Sequence, residues 1–401
     1  MSEPRKPLIS LDDALASLLA QIVPLTGTET LATADARGRV LAVDLVSPVD
    51  VPPADNSAMD GYALRAADAT SLLPVTQRIP AGSVPTPLAP GEAARIFTGA
   101  HVPPGADTVV MQENTELVDG HVRVTQPVTA GANVRLRGED VRAGSVVLPA
   151  GTRLDAVSLG LAATAGAARL TVTRRPRVAV FSTGDELVMP GEPLPPGAIY
   201  NSNRFTLRAL LQGLGCEVVD LGIVPDNLAA TRAALREAAS RADVILTSGG
   251  VSVGEEDHLR PAVQAEGRLD LWAIAIKPGK PFAYGRVGEA HFIGLPGNPV
   301  SSLVTFLVLV RPALLKLQGA ARLSPRGYRL VAGFDWPKPD KRREFLRVRL
   351  DEEGGLAMFA NQSSGVLTSA VWADGLLDNP PGHAFKAGDT VRFIPFAELL
   401  A

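Results

Sequence analysis

Five short stretches of this 401-residue chain combine acids, hydroxyls, lysines and glycines in ways that suit phosphate or oxyanion chemistry. The run Asp243–Asp257 reads DVILTSGGVSVGEED. An apolar segment, Val244–Leu246, breaks into Thr247-Ser248-Gly249-Gly250, and Ser252 and Gly254 precede Glu255, Glu256 and Asp257. Glycines permit φ > 0 and close backbone approach, so such a loop can cradle an anion with bare N–H groups while its acids hold a cation. A Gly-rich turn with a solvated acidic tip is the alternative. Asp226, in Pro225-Asp226-Asn227, follows another strand-like run. Mg²⁺ takes one or two carboxylates, several waters and substrate phosphate oxygens, which two strand-end aspartates, Asp226 and Asp257, can satisfy. Asp226 also reads as a helix N-cap, and Asp257 as a solvated surface acid. Lys277-Pro278-Gly279-Lys280-Pro281 puts two ammonium groups on a stiff turn, suited to developing negative charge or simply to solvent. Ser182-Thr183-Gly184-Asp185-Glu186 offers hydroxyls and acids, with Glu186 able to join a metal site or act as a base. Leu295-Pro296-Gly297-Asn298-Pro299-Val300-Ser301 reads as a rigid strand-to-helix connection that can also present Asn298, Ser301 and N–H groups to an anion.

The elements that must position these loops follow from periodicity. Between Arg177 and Gly319, β runs (Val178–Phe181, Glu217–Val224, Val244–Leu246, Ala290–Leu295) alternate with helical patterns (Phe205–Leu214, Leu228–Ser240, Ser301–Leu317). Alternation of this kind predicts a doubly wound parallel α/β sheet, with ligands at the carboxyl ends of its strands. Ser10 with Asp13 marks the start of an N-terminal helix, and Thr28–Val46 reads as a second short helix with an extended exit. From Val46 to Asp140, dense prolines and short β runs predict a small inserted β domain carrying two polar clusters, Asp55–Tyr62 and Thr98-Gly99-Ala100. Asp155 caps a predicted helix over Ala156–Ala165. Beyond Gly319 the helical signals stop, and a C-terminal β domain is expected. The predicted segmentation is a discontinuous linking domain (1–45 and 141–175), an inserted β domain (46–140), an α/β domain (176–322) and a C-terminal β domain (323–401).

Composition excludes several classes. A formal charge of −3 gives no basic field for nucleic acid. One cysteine, Cys216, rules out an internal disulfide and a Cys-based zinc site. No signal-like core opens the sequence, and the run Leu303–Val310 is far short of a bilayer span, so a cytoplasmic protein without a membrane partner is expected. Neither G-x-x-x-x-G-K-[ST] nor G-x-G-x-x-G occurs. The residues alone therefore reach a Mg²⁺-assisted phosphate- or oxyanion-handling α/β enzyme.

Nine motifs in order carry the reading further: DNSAMDGYAL (Asp55–Leu64), Phe97–Glu113 with FTGA and PPGADTVVMQE, RGED (Arg137–Asp140), STGDEL (Ser182–Leu187), NSNRFTL (Asn201–Leu207), GIVPDN (Gly222–Asn227), TSGGVSVGEED (Thr247–Asp257), KPGKPF (Lys277–Phe282) and LPGNPVSS (Leu295–Ser302). Together they resemble the molybdopterin molybdotransferase family, bacterial MoeA and the C-terminal domain of gephyrin. The resemblance implies an elongated four-domain subunit and a homodimer whose active site lies where the α/β domain of one subunit meets the inserted domain of the other. It implies insertion of molybdenum from molybdate into adenylylated molybdopterin, with Mg²⁺ assisting phosphoanhydride cleavage, AMP leaving, and molybdenum ending on the substrate's dithiolene sulfurs. Carried over by motif, Asp60, Thr98, Asp140, Glu186, Lys277 and Lys280 are catalytic candidates, and Asp226 and Asp257 with Glu186 are Mg²⁺ ligands. Ser182, Thr183, Gly184, Ser248, Gly249, Gly250, Ser252, Pro296, Asn298, Pro299 and Ser301 line the substrate, joined by Arg347 and Ser364 from a looser C-terminal match. The family often has proline where this chain has His101. The molybdopterin adenylyltransferase is an implied partner. As alternatives, adenylyltransferases share the α/β domain but lack both β domains, while a pure scaffold would not require Asp226, Asp257, Lys277 and Lys280.

Overall fold

A computed structural model describes residues 8–250 and 258–400 of the chain. Helix α1 (Leu11–Gln21) starts where Ser10 accepts a hydrogen bond from the Asp13 N–H at 3.0 Å. Strand β1 (Thr28–Ala32) replaces the second helix expected over Thr28–Val46. It pairs antiparallel with a strand far along the chain, a partnership local propensity cannot reveal. The inserted domain follows, with β2 (Gly61–Leu64), β3 (Leu73–Ile79), β4 (Ala93–Ile96), β5 (Thr108–Met111), β6 (Thr115–Val118) and β7 (His121–Val124) in one sheet of order β5-β2-β4-β3-β7-β6. The chain then returns to α2 (Ala156–Thr164), capped by Asp155 as expected, and to β8 (Arg169–Thr173), the partner of β1.

The α/β domain comprises β9 (Arg177–Thr183), α3 (Ser202–Gly213), β10 (Glu217–Val224), α4 (Leu228–Arg241), β11 (Val244–Ser248), α5 (Leu259–Glu266), β12 (Gly267–Ala273), the short β13 (Ile276–Lys277), β14 (Pro281–Val287), β15 (Ala290–Leu295) and α6 (Pro299–Leu317). Its sheet runs β10-β9-β11-β15-β14-β12. The first four strands are parallel, as the alternation requires. The last two pairings, β15–β14 and β14–β12, are antiparallel, so the wholly parallel expectation is corrected to a mixed sheet. A tight β14–β15 hairpin needs no crossover helix. Side chains alternate between two cores: Val178, Val180, Val244, Leu246 and Ile293 pack on the α3/α6 side, while Ala179, Phe181, Ile245 and Phe292 pack on the α4/α5 side. On α4, Thr231, Leu235 and Ala238 are buried, while Leu228 in its first turn is 40% exposed.

The C-terminal domain is built on β16 (Tyr328–Val331), β17 (Arg343–Leu350), β18 (Leu356–Met358), α7 (Thr368–Trp372), β19 (Gly375–Asn379) and β20 (Thr390–Pro395). It is not a separate bead. Phe345, Leu376 and Ile394 share one core cluster with Leu11, Leu18 and the α6 residues Leu307 and Leu314. Strand β13 also joins its sheet, pairing parallel with β17 in the register Lys277↔Glu344. Helix α6 is long and apolar enough to cross a membrane by length and composition, yet 89% of it is buried within the molecule, the position of a core helix.

Candidate functional site

Register places the chemistry at one sheet edge. Ser182, Ser248 and Leu295 are adjacent across β9, β11 and β15, so the STGDE, TSGG and LPGNP loops leave the sheet side by side. Asp226 follows β10 on the flank of β9. Gly249 and Gly250 take φ of +90° and +63°, the left-handed conformation that glycine adopts without strain. Gly249 N–H donates to the Leu295 carbonyl at 3.0 Å, tying the second loop to the third. Asn203, in the NSN motif, donates from Nδ2 to the Gly297 carbonyl at 2.7 Å. At Gly184, φ is +143° and a Cβ would overlap the Glu186 carboxylate, so the glycine lets Glu186 fold back over its own loop.

The edge is polar and buried at its base. Ser182 and Ser248 are 1% and 4% exposed. The Ser182 and Thr247 hydroxyls are buried and have no hydrogen-bond partner among the described residues. A buried unpaired hydroxyl is costly, and its persistence at a strand end marks a place for a polar ligand. Asp226 is half-buried. It is not the cap of α4; Asn227 is, its Oδ1 accepting from the Ala230 N–H at 2.9 Å. Ser252 and Asp257 lie outside the described residues. Among the described residues no group of three or more His, Cys, Asp or Glu gathers as a metal cage. Hard oxygen donors at Asp226 and Glu186 suit the sparse protein coordination typical of Mg²⁺ on a phosphate substrate.

Two further elements close on the start of α6. The KPGKP turn lies against it: a Cβ at Gly279 would overlap the Thr305 hydroxyl and approach the Ser301 carbonyl to 3.3 Å. From the C-terminal domain, the Ser364 carbonyl accepts from the Val300 N–H at 2.9 Å in the first turn of α6. Pro296 and Ser301 are buried, Asn298 is exposed, and Pro299 occupies the first turn, where its missing N–H costs nothing. The structure thus sets Ser182, Thr183, Gly184, Ser248, Gly249, Gly250, Pro296, Asn298, Pro299, Ser301 and the backbone of Ser364 along one edge, with Glu186 folded over its own loop and Asp226 at the end of the outer strand β10.

Other candidates are placed differently. The two lysines do not face solvent as a pair. Lys280 is exposed, but Lys277 Nζ lies 3.2 Å from Glu344 Oε1 and 3.6 Å from Asp340 Oδ2. Glu344 is fully buried, and its Oε2 accepts from Trp336 Nε1 at 2.8 Å and Asn379 Nδ2 at 3.4 Å. Arg342 holds Asp340 well below the usual carboxylate range, chiefly through its side-chain hydrogen bonds. Arg347 is 1% exposed and donates to Ser369 Oγ and to the Phe345 and Ser363 carbonyls. Burial pushes its guanidinium down to about 10, and its contacts organise the Ser363–Ser369 loop that meets α6. Asp60 and Thr98 pair within the inserted domain: Asp60 Oδ1 accepts from the Thr98 N–H and hydroxyl, each at 2.8 Å. The backbone bond from Thr98 is the main cause of the depressed Asp60 carboxyl. Asp140 is exposed beside the Val51–Val141 bridge at the root of that domain. Sequence reasoning missed Glu344, which sits in a strand-forming run with no motif around it.

Fold and site define a multidomain α/β protein that gathers hydroxyls, backbone N–H groups, acids and a lysine turn at the carboxyl edge of a sheet and closes it with a C-terminal β domain. Residues 9–166 match the MoeA N-terminal region (domain I and II), residues 179–316 a probable molybdopterin binding domain, and residues 329–396 the MoeA C-terminal region (domain IV). A molybdopterin molybdenumtransferase of Haemophilus influenzae is 42% identical over 98% of this chain and 100% of its own, and one of Nostoc is 38% identical over 95% and 92%. A molybdopterin biosynthesis MoeA protein from Pyrococcus horikoshii OT3 superposes with a TM-score of 0.84 at 29% identity, covering 97% of this chain and 100% of that one. The chain belongs to the molybdopterin molybdenumtransferase family, enzymes of molybdenum cofactor biosynthesis.

Proposed function

We propose that this protein transfers molybdenum from molybdate to adenylylated molybdopterin, releasing AMP, as a cytoplasmic homodimer that depends on Mg²⁺. The observation that carries the reading is the exit of four strand-end loops along one sheet edge, with the KPGKP turn and the Ser364 carbonyl closing on the start of α6, in a chain related end to end to molybdopterin molybdenumtransferases. In this reading the Gly249 and Gly250 backbone and the Ser182 and Ser248 hydroxyls orient the pterin and its phosphates. Lys280, exposed on its turn, meets the incoming oxyanion, and Lys277 is held beside it by Glu344. Asp226 and Asp257, with Glu186, would hold Mg²⁺, which when bound offsets charge on the phosphoanhydride. The bonded pair Asp60 and Thr98, with Asp140, reaches the α/β edge of the partner subunit. The molybdopterin adenylyltransferase, which makes the adenylylated substrate, is the natural upstream partner.

Purified protein supplied with adenylylated molybdopterin, molybdate and Mg²⁺ is expected to release AMP, and Asp226→Asn to release it at least tenfold more slowly. Release at the uncatalysed rate by the wild-type protein would overturn the proposal.

A further inference from the structure

The C-terminal β domain holds a cavity of about 420 Å³ that the molybdenum-transfer reading does not use. One side of it is a row of charges across three strands, running from the rim inward. Arg329 on β16 pairs in register with Arg392 on β20, and Arg392 pairs with Asp378 on β19. Register partners point to the same face, and two like charges directly opposite repel. A fourth residue, Arg343, reaches in from β17 and donates to Asp378 from Nε at 2.6 Å and Nη2 at 2.7 Å. The Asp378 side chain is 2% exposed and also lies 3.2 Å from Arg392 Nη1. Two guanidinium groups, those of Arg343 and Arg392, therefore share one buried carboxylate in the lining of this cavity, and Arg329 stands opposite Arg392 beside them. Asp12 also accepts from Arg343 Nη1 at 3.0 Å, but its side chain is 83% exposed, so this pair is weak beside the buried one with Asp378.

Two of the cations are also held in place. Asp378 fixes Arg343 through two parallel hydrogen bonds. Arg392 lies along the backbone of Gly327, where a Cβ would come within 2.7 Å of its Nε. Guanidinium groups pinned before binding lose little freedom when a ligand arrives, and their planar forks match the oxygens of a tetrahedral anion. Arg329 is exposed at the rim. The volume suits a small molecule rather than a lone ion in passing.

We propose that this pocket binds a tetrahedral dianion, either free or as the phosphate group of a small molecule, at a site separate from the α/β edge. The inference is independent of the molybdenum-transfer reading. Two sources share the chemistry, phosphate and molybdate, and separate titrations distinguish them. Inorganic phosphate and, in a second arm, molybdate are titrated calorimetrically into the full-length wild-type protein and into Arg329→Ser. Arg329 is exposed, so the fold of this variant is expected to be unperturbed, with an unchanged melting temperature. Loss of at least tenfold in affinity for phosphate supports the pocket as a phosphate site; the same loss for molybdate alone supports it as a molybdate site. In either case the rate of AMP release at saturating substrate stays unchanged. Titrations of wild type and Arg329→Ser that coincide for both anions, or no binding of either anion to the wild type, overturn the proposal. Arg392→Gln, compared at matched melting temperature, is expected to show the same loss.

Discussion

Replacing Glu344 by glutamine removes a buried charge while keeping its shape, and tests whether the C-terminal domain holds the lysine turn in place. Glu344 is fully buried, and one oxygen accepts from Trp336 and Asn379 while the other meets Lys277 at 3.2 Å. At that separation and an effective dielectric of ~20, the attraction is about 5 kcal/mol. The Lys277 side chain is 44% exposed, so screening and desolvation reduce the net to about 1–2 kcal/mol. A double-mutant cycle with Glu344→Gln, Lys277→Met and the combined variant, read by urea unfolding, isolates this term from the lost Trp336 contact. A coupling of about 1–2 kcal/mol is expected. Glu344→Gln is also expected to raise the KM for molybdate, and Glu344→Asp, which keeps the carboxylate, to recover part of that loss. Strict additivity of the two single variants, within about 0.3–0.5 kcal/mol, would refute the reasoning, since Lys277 would then be indifferent to its buried partner.

Burial holds the His291 imidazole down to about 4, with Tyr284 Oη 2.8 Å from its Nδ1 and Arg286 close to the other nitrogen. The unfolded chain takes up that proton near pH ~6.5, so the contribution is intact above this value and is lost as pH falls towards 4, by at most about 3 kcal/mol. The melting temperature of His291→Gln should therefore change less between pH 7 and pH 4.5 than that of the wild type, and equal slopes would count against a buried neutral histidine. Gly279→Ala forces a side chain to φ +113° and into the Thr305 hydroxyl, which is expected to cost about 2–4 kcal/mol and to lower AMP release; an unchanged melting curve would contradict the packing of the turn on α6. Equimolar Asp60→Asn and Asp226→Asn subunits, each inactive alone, should regain about a quarter of wild-type activity after exchange, because half the dimers carry one intact composite site. No recovery would exclude a site shared between subunits.

Much of the fold was legible because strand and helix periods alternate cleanly where the parallel sheet lies. Glu217–Val224 and Ala290–Leu295 were read with the bounds the strands have. The strands β12 and β14 escaped because GRLDLWA and PFAYGRV carry glycine, proline and charge within short runs that form an edge hairpin. Strand β19 escaped because DGLLDN reads as a turn until it is fully buried between β17 and β20. Strand β1 lies where the sequence suggests a helix, because TETLA has no strong preference of its own and its partner strand is far along the chain. At the site, the loops that follow strands could be placed at one edge from the sequence alone. Asp226 and Asn227 are both good caps for α4, and only geometry selects Asn227. The partnership of Lys277 with Glu344 was invisible, because it depends on a parallel pairing between strands in different domains.

The central claim is the transfer itself. After one round of reaction with adenylylated molybdopterin, molybdate and Mg²⁺, the released pterin is separated from protein and its molybdenum counted against AMP. The account predicts about one molybdenum per AMP, with neither formed when molybdate or Mg²⁺ is left out. AMP released in full without molybdate, or molybdenum-free pterin as the product, would contradict it.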